Sequence, residues 1–123
     1  MILCSAQTLA ETSVGQDPCV YVIECERGHW YVGFSRWPRL RIEAHFAGEG
    51  AVFTKEFRPI RVYLIKPATD EFDEYSLWRE YAEKYGQRLV GGYNEALCQK
   101  FGFPWPFRSF RGQRTFRRKF SYA

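Results

Sequence analysis

The sequence predicts an α+β fold, a three-stranded antiparallel sheet flanked by helices in the order ββαβαα. Three observations lead to it: a strand, turn and strand pattern at 19–34, a strand-like run between two prolines at 60–66, and a helical repeat of aromatic residues at 71–85. The 123 residues, 46% of them hydrophobic, can bury one core and leave no room for a second full domain.

A hairpin opens the predicted fold. Cys19–Cys25 is apolar and rich in β-branched residues, Glu26–Gly28 has turn chemistry, and His29–Phe34 is again strand-like. Because the turn is so short, the two strands should pair with each other.

The first helix is expected to begin at Pro38 and to end near Gly48. Proline suits the first helical turn, Ser35 is a candidate cap before it, and Gly48 starts a Gly-Glu-Gly segment that breaks the pattern. Five apolar residues fall at helical spacings along this stretch: Trp37, Leu40, Ile42, Ala44 and Phe46.

A third strand and a second helix follow. The alternation within Ile60–Lys66 places Val62 and Leu64 on one face of the sheet. Glu71–Tyr85 repeats aromatic residues every three or four positions and is followed by Gly86, a typical helix stop. Beyond it, Asn94 is a candidate cap for a short third helix that ends at Phe101, with Leu97 and Phe101 facing inward.

The charge is distributed unevenly along the chain. We interpret residues 1–18 as an N-terminal arm, 19–102 as the folded domain and 103–123 as a tail. Up to residue 95 there are 11 Lys and Arg against 14 acidic residues, whereas the rest of the chain has 7 Lys and Arg and no acidic residue. A basic terminal segment indicates a polyanion partner, because neutralising phosphates releases counterions.

The tail alternates basic and aromatic residues. Four arginines recur every third residue between phenylalanines, and such a segment can pair with phosphates and stack on bases. These arginines are Arg108, Arg111, Arg114 and Arg117. An alternative is that the phenylalanines dock on the domain or on a second copy, giving a homodimer, because so many exposed aromatic rings would favour aggregation.

Composition also restricts the cellular context. The N-terminal residues do not resemble a signal peptide, and no apolar run is long enough to span a membrane, so we expect an intracellular protein of the cytoplasm, nucleoid or nucleus, without a membrane partner. The four cysteines lack the short paired spacing of a zinc site and are expected to be reduced thiols.

Two phenols, a guanidinium and an imidazole are expected to converge. Tyr21 and Tyr31 lie on adjacent predicted strands, and Arg41 and His45 are four residues apart on one helix. Phosphodiester hydrolysis needs a base for water, positive charge for the phosphate and a cation near the leaving oxygen. Glu80, on the second helix, is the natural ligand for Mg²⁺, which often binds only one or two carboxylates.

The order of these residues resembles the GIY-YIG nuclease family over roughly residues 19–101. Cys19-Val20-Tyr21 stands in place of the first triplet and Tyr31-Val32-Gly33 in place of the second, so that both tyrosines and one glycine are kept. The segments Gly48–Lys55 and Leu77–Glu80 resemble the family's stretch after the first helix and its metal-binding helix.

The resemblance implies a single-metal endonuclease. Arg41 would steady the scissile phosphate, Glu80 would hold Mg²⁺ or Mn²⁺, and Asn94 would have a supporting role. A tyrosine would deprotonate the attacking water, although a phenol is a poor base alone because its reference pKa is near 10. The base therefore stays open among the two tyrosines and His45.

DNA is the expected substrate, with RNA as an alternative. The basic residues Arg36, beside Ser35, and Lys55, in the predicted loop after the first helix, are candidates for phosphate contacts, and the alternative for both is a solvated surface charge. The chain contains no recognisable module for reading a long base sequence, which favours a structure-directed or weakly sequence-specific nuclease. The alternative from another class is a nucleic-acid-binding module that keeps the fold and does not cut.

Overall fold

The structure, a computed structural model, describes residues 18–107. The described residues fall into two compact units, 18–92 and 93–107. The first contains β1 (Cys19–Cys25), β2 (His29–Ser35), α1 (Pro38–Phe46), α2 (Val52–Glu56), β3 (Pro59–Pro67), α3 (Glu71–Tyr85) and β4 (Val90–Gly91), and the second contains α4 (Glu95–Phe101). Within residues 18–107, no helix is long and apolar enough to cross a membrane.

The first unit is built on one mixed sheet with the strand order β3-β1-β2-β4. β1 is antiparallel to both β2 and β3, which confirms the predicted α+β fold. The short strand β4 adds a fourth member, parallel to β2, through the pairs Trp30–Val90 and Tyr31–Gly91. Two residues are too few to show the alternation of a strand, and for this reason the sequence predicted only three strands.

A bulge in β3 corrects one expectation about the core. Val22 pairs with Leu64 and the next residue, Ile23, pairs with Val62, so β3 has one extra residue, Tyr63, at this point. Because an extra residue breaks the period of two, Val62 and Leu64 lie on opposite faces, and the prediction that they share a face is wrong. Ile65 takes the place expected for Leu64, in the same buried cluster as Val62.

Helices cover both faces of the sheet. The face that carries Tyr21 and Tyr31 contacts α1 and α2, as the ring contact between Tyr21 and His45 shows, and we call it the α1 face. The face that carries Val20, Val22, Trp30 and Val32 contacts α3, and we call it the α3 face. This alternation follows from the period of two along each strand.

The first helix points a different side inward from the one that its apolar residues suggested. Leu40 and Phe46 are 64% and 45% exposed, whereas Ile42 and His45 are fully buried. The buried positions 38, 42 and 45 follow one helical stripe, on which a histidine takes a place that a hydrophobic residue would normally occupy. Ser35 is not the N-cap, which is Trp37, but its hydroxyl accepts a hydrogen bond from the Trp37 N–H at 3.0 Å.

The second described helix, α2, was expected to be a loop. It has only five residues, so it shows no helical period in the sequence. The third, α3, begins at the predicted residue, where the Asp70 side chain accepts from the Phe72 N–H at 3.0 Å, and buries Tyr75, Trp78 and Ala82.

In the second unit, Asn94 caps α4 as predicted, accepting a hydrogen bond from the Leu97 N–H at 2.8 Å. The helix ends at Gly102, which is in the left-handed conformation. Phe101 is 43% exposed and stacks on Phe103, so the expectation that it faces inward is wrong, and Cys98 is the fully buried residue.

Candidate active site

Tyr21 lies at the centre of the α1 face and is only 1% exposed. Its phenol ring crosses over Gly33, the β2 residue that pairs with it. A β-carbon at Gly33 would collide with the phenol, so only glycine lets the ring lie flat across the neighbouring strand. The third residues of the two strand motifs, Tyr21 and Gly33, are therefore in direct contact.

His45 lies next to the Tyr21 hydroxyl in a buried hydrogen-bonded chain. The Tyr21 Oη is 3.0 Å from His45 Nε2, and the other ring nitrogen, Nδ1, is 2.9 Å from the Thr54 hydroxyl. Gly50 makes room for this ring, because a β-carbon there would collide with Nδ1. The three side chains that make these hydrogen bonds, those of Tyr21, His45 and Thr54, are each at most 1% exposed.

Arg41 and Tyr31 complete the group on this face. The Arg41 guanidinium acts on both phenols by its charge and by hydrogen bonding, and its side chain is exposed to solvent. The Tyr31 ring lies 4.8 Å from the ring of His45 and 6.0 Å from that of Phe53. The structure thus brings together four of the residues predicted from the sequence.

Burial determines the protonation states of this group. It raises the pKa of Tyr21 far above the usual range, helped by Tyr31 and opposed by the Arg41 charge. Burial also raises the pKa of Tyr31, helped by Glu74 and opposed by Arg41. Burial and then the Arg41 charge lower the pKa of His45 to about 4. At neutral pH both phenols are protonated and the imidazole is uncharged.

Glu74 is the carboxylate that acts on both phenols, and the sequence analysis missed it. It lies one turn before Trp78 on α3, is half-buried, and raises the pKa of Tyr21 and of Tyr31. A signal was present in the sequence, because Glu74, Trp78 and Tyr81 follow one another at spacings of four and three. An acidic residue on the inward stripe of an amphipathic helix is unusual.

Glu80 is on another side of the same helix. Its side chain is exposed and lines a surface pocket with Val20 and Lys66, and its charge adds to the effect of burial, which raises the pKa of Tyr81. Six residues correspond to well over one and a half helical turns, so Glu74 and Glu80 point in widely different directions. Among the described contacts, none brings Glu80 to the two phenols.

The remaining predicted residues are dispersed. Arg36 is exposed just before α1, and Lys55 is exposed on α2, not in a loop. Asn94 belongs to the second unit, where its side chain caps α4. The tail arginines Arg108, Arg111, Arg114 and Arg117 lie outside the described residues.

The donor groups present suit a metal ion that needs few protein ligands. Within residues 18–107, no three His, Cys, Asp or Glu side chains form a cluster that could hold a metal ion. A binding site made of one carboxylate is typical of Mg²⁺, which keeps several of its waters. Glu74, whose charge acts on both phenols, is a described carboxylate that could serve as such a ligand.

Two features define a class of protein: a hairpin that pairs the strands of the two tyrosines, and a helix, α1, that carries the arginine and the histidine. Comparison with known families agrees with this class. The model of the GIY-YIG catalytic domain matches residues 17–94, and the chain belongs to the GIY-YIG family. Members of this family form a nuclease superfamily, so the class indicates nuclease-type chemistry.

Within that class, the chain is similar to proteins named UPF0213. The UPF0213 protein of Bacillus cereus is 33% identical over 82 residues, which cover 67% of this chain and 80% of that protein. One from Staphylococcus aureus is 37% identical over 65 residues, covering 53% and 77%, and one from Neisseria meningitidis is 36% identical over 52 residues, covering 42% and 57%. No solved structure matches the chain.

Proposed function

We propose that this protein is a metal-dependent endonuclease that hydrolyses phosphodiester bonds in DNA. The observation that carries the proposal is the 3.0 Å contact between the Tyr21 hydroxyl and His45 Nε2, beside an exposed arginine and a half-buried glutamate. A protonated phenol against a neutral imidazole is a route for removing a proton from water, and the guanidinium supplies positive charge for a phosphate.

In the proposed reaction, the attacking water gives a proton to Tyr21 as the Tyr21 hydroxyl proton passes to His45. The water oxygen forms the new bond to phosphorus, the bond from phosphorus to the leaving sugar oxygen breaks, and that oxygen takes a proton from solvent. Burial alone would make Tyr21 a very poor base, so a proton acceptor behind it is essential. This assigns the base to the pair of Tyr21 and His45.

Arg41 has two roles in this proposal. Its exposed guanidinium binds the non-bridging oxygens of the phosphate, and its charge is one of the two causes that lower the pKa of His45 to about 4. A phosphate bound to Arg41 offsets that charge, so substrate binding makes His45 a better proton acceptor. Tyr31, which also interacts with Arg41, positions the guanidinium.

We propose Glu74 as the ligand of Mg²⁺ or Mn²⁺, whereas the assignment to Glu80 from the sequence stays a prediction. When bound, the metal ion would supply positive charge for the phosphate and the leaving oxygen. Glu74 fits because its charge acts on both phenols, whereas the Glu80 side chain lies in a pocket with Lys66. The exposed residues Arg36 and Lys55 would add phosphate contacts without reading bases.

The test is a cleavage assay with a matched pair of variants, Glu74→Gln and Glu80→Gln. Labelled single-stranded, duplex and branched DNA, and RNA, are incubated with wild type and variants in Mg²⁺, Mn²⁺ or EDTA. We expect metal-dependent cleavage by wild type, a loss of at least about 100-fold in Glu74→Gln and little change in Glu80→Gln. Each substitution removes one charge from the same helix, so each is the control for the other.

The other outcomes are equally informative. Loss of cleavage in Glu80→Gln with activity kept in Glu74→Gln would return the metal to Glu80. Binding of nucleic acid without cleavage by wild type would contradict the proposal and support the non-cutting module. Cleavage that continues in EDTA would exclude the metal dependence.

A further inference from the structure

Thr54 is a buried polar residue that the proposed reaction does not use directly. It is 1% exposed, belongs to the short helix α2, and its hydroxyl contacts two groups. One is the backbone carbonyl of Ala51 at 3.0 Å, and the other is His45 Nδ1 at 2.9 Å. Because a hydroxyl has only one proton, these two contacts together restrict the position of the proton on the histidine.

The direction of the hydrogen bonds follows from the carbonyl. A carbonyl oxygen can only accept, so the Thr54 hydroxyl proton goes to Ala51. The Thr54 oxygen must then accept from His45, which places the imidazole proton on Nδ1. In a neutral imidazole the other nitrogen, Nε2, carries no proton and can only accept. The Tyr21 hydroxyl, 3.0 Å away, therefore donates to Nε2.

A competing arrangement is present in the same place. The Ala51 N–H points at His45 Nδ1, but the distance is 3.4 Å. That bond would require Nδ1 to be unprotonated and Nε2 to carry the proton, which would then point at the Tyr21 oxygen. The contact between Nδ1 and Thr54 fits either direction, so the two backbone contacts decide between them. The bond from the Thr54 hydroxyl to the Ala51 carbonyl, at 3.0 Å, is shorter than the 3.4 Å contact from the Ala51 N–H, and this favours the proton on Nδ1.

We propose that Thr54 is a positioning residue, which holds the proton of neutral His45 on Nδ1 and so keeps Nε2 free to accept the proton of Tyr21. Its role in cleavage rests on the proposed nuclease function, whereas the position of the imidazole proton does not. Without Thr54 the Ala51 N–H becomes the partner of Nδ1, the proton moves to Nε2, and Tyr21 loses its acceptor.

The primary experiment is ¹⁵N NMR of the imidazole nitrogens in the full chain at neutral pH, without metal or nucleic acid. The chain has two histidines, and a His29→Gln variant identifies the signals of His45. We expect the spectrum of the wild-type protein to show that Nδ1 of His45 carries the proton and that Nε2 is unprotonated. A wild-type spectrum with the proton on Nε2 overturns the proposal, and this result does not depend on any variant folding.

Two variants of Thr54 test its role. Thr54→Val keeps the shape and removes the hydroxyl, so we expect the proton to move to Nε2 and cleavage to fall by about tenfold or more. Thr54→Ser restores the hydroxyl and should restore both the spectrum and cleavage. Thr69→Val, at an exposed threonine, is the matched control and should change neither.

Each contrary result has a separate meaning. If Thr54→Val folds and the proton of His45 stays on Nδ1, Thr54 does not determine the position of that proton and the proposal fails. If the proton moves and cleavage is unchanged, its role in cleavage fails. If the spectra are as expected and the wild-type protein cuts nothing, the positioning role stands and the nuclease function is the part that fails.

Discussion

The two faces of the sheet use burial for different purposes. On the α3 face the fully buried Trp78 donates one hydrogen bond, to the Val90 carbonyl at 3.3 Å, and Trp30 stacks on Tyr85 at 5.1 Å between ring centres. On the α1 face the buried centre is a hydrogen-bonded chain from Tyr21 to Thr54. Net stabilisation by such bonds is small compared with the burial of a large aromatic ring.

The two faces of the sheet should therefore contribute differently to folding stability and to catalysis. We expect the aromatic packing on the α3 face to contribute stability without reactivity, whereas the α1 face combines an apolar core, which includes Ile23, Ile42 and Val62, with the polar groups that provide reactivity. Substitutions on the two faces should therefore differ in which of the two quantities they change.

Trp78→Ala should have the largest effect. Removing a fully buried indole leaves a cavity and removes its hydrogen bond to the Val90 carbonyl, and we expect a loss of about 3–5 kcal/mol in the free energy of unfolding. Urea unfolding followed by circular dichroism measures it. Phe72→Ala, on the same helix and 52% exposed, is the control and should cost far less. Equal losses for the two variants would contradict the role of the buried Trp78 in packing α3 against the sheet.

His45 should make stability depend on pH. Its pKa is lowered to about 4 in the folded protein, against an ordinary value of 6.5, so the unfolded chain binds more protons between these limits. The free energy of unfolding should then fall as the pH falls from about 6.5 to about 4, by roughly 3 kcal/mol from this group alone.

The measurement is urea unfolding at a series of pH values for wild type and His45→Gln. Carboxylates titrate in both proteins, so the difference between the two curves isolates the histidine. A difference that stays constant between pH 4 and 6.5 would show that His45 is not neutral and buried in the folded state.

Tyr21→Phe should have the smallest effect on stability and a large effect on activity. It keeps the ring and removes the hydroxyl with its hydrogen bonds to His45 and Arg41, so the free energy of unfolding should change by about 1–2 kcal/mol. Cleavage should fall by at least about 100-fold, because the proton of water loses its route to His45.

Tyr85→Phe is the matched control on the α3 face. Its ring continues to stack on Trp30, and both stability and cleavage should remain close to those of wild type. Full activity of Tyr21→Phe would remove Tyr21 from the reaction and reassign the base to another group on the α1 face.

The sequence predicted much of the fold because its patterns are local. The hairpin and α3 have clear periods, and their bounds agree with the structure to within one residue. The bulge at Tyr63 was not predictable, since nothing in β3 itself marks the extra residue, which becomes apparent only in the pairing with β1. The strand β4 and the helix α2 are too short to have a period.

The candidate site was predictable where spacing determines proximity. Arg41 and His45 are one helical turn apart, and the tyrosines lie on paired strands, so their convergence follows from local geometry. The choice of glutamate depends on how α3 is rotated about its axis. Motif order led to the prediction of Glu80, whereas the inward stripe of Trp78 and Tyr81 favours Glu74, which we propose in its place. Thr54 could not be found, because it lies in a helix that the sequence does not reveal.

The contact between Tyr21 and Gly33 has a consequence for transplanting this chemistry onto other sheets. A designer who grafts only the reactive side chains would leave a β-carbon beneath the phenol, and the ring would be forced away from the imidazole. The smallest set of residues that must be transferred therefore includes a glycine on the neighbouring strand, at the position of Gly33, in addition to the reactive side chains. The missing β-carbon of Gly33 is as necessary for placing the phenol against the imidazole as the two reacting side chains are.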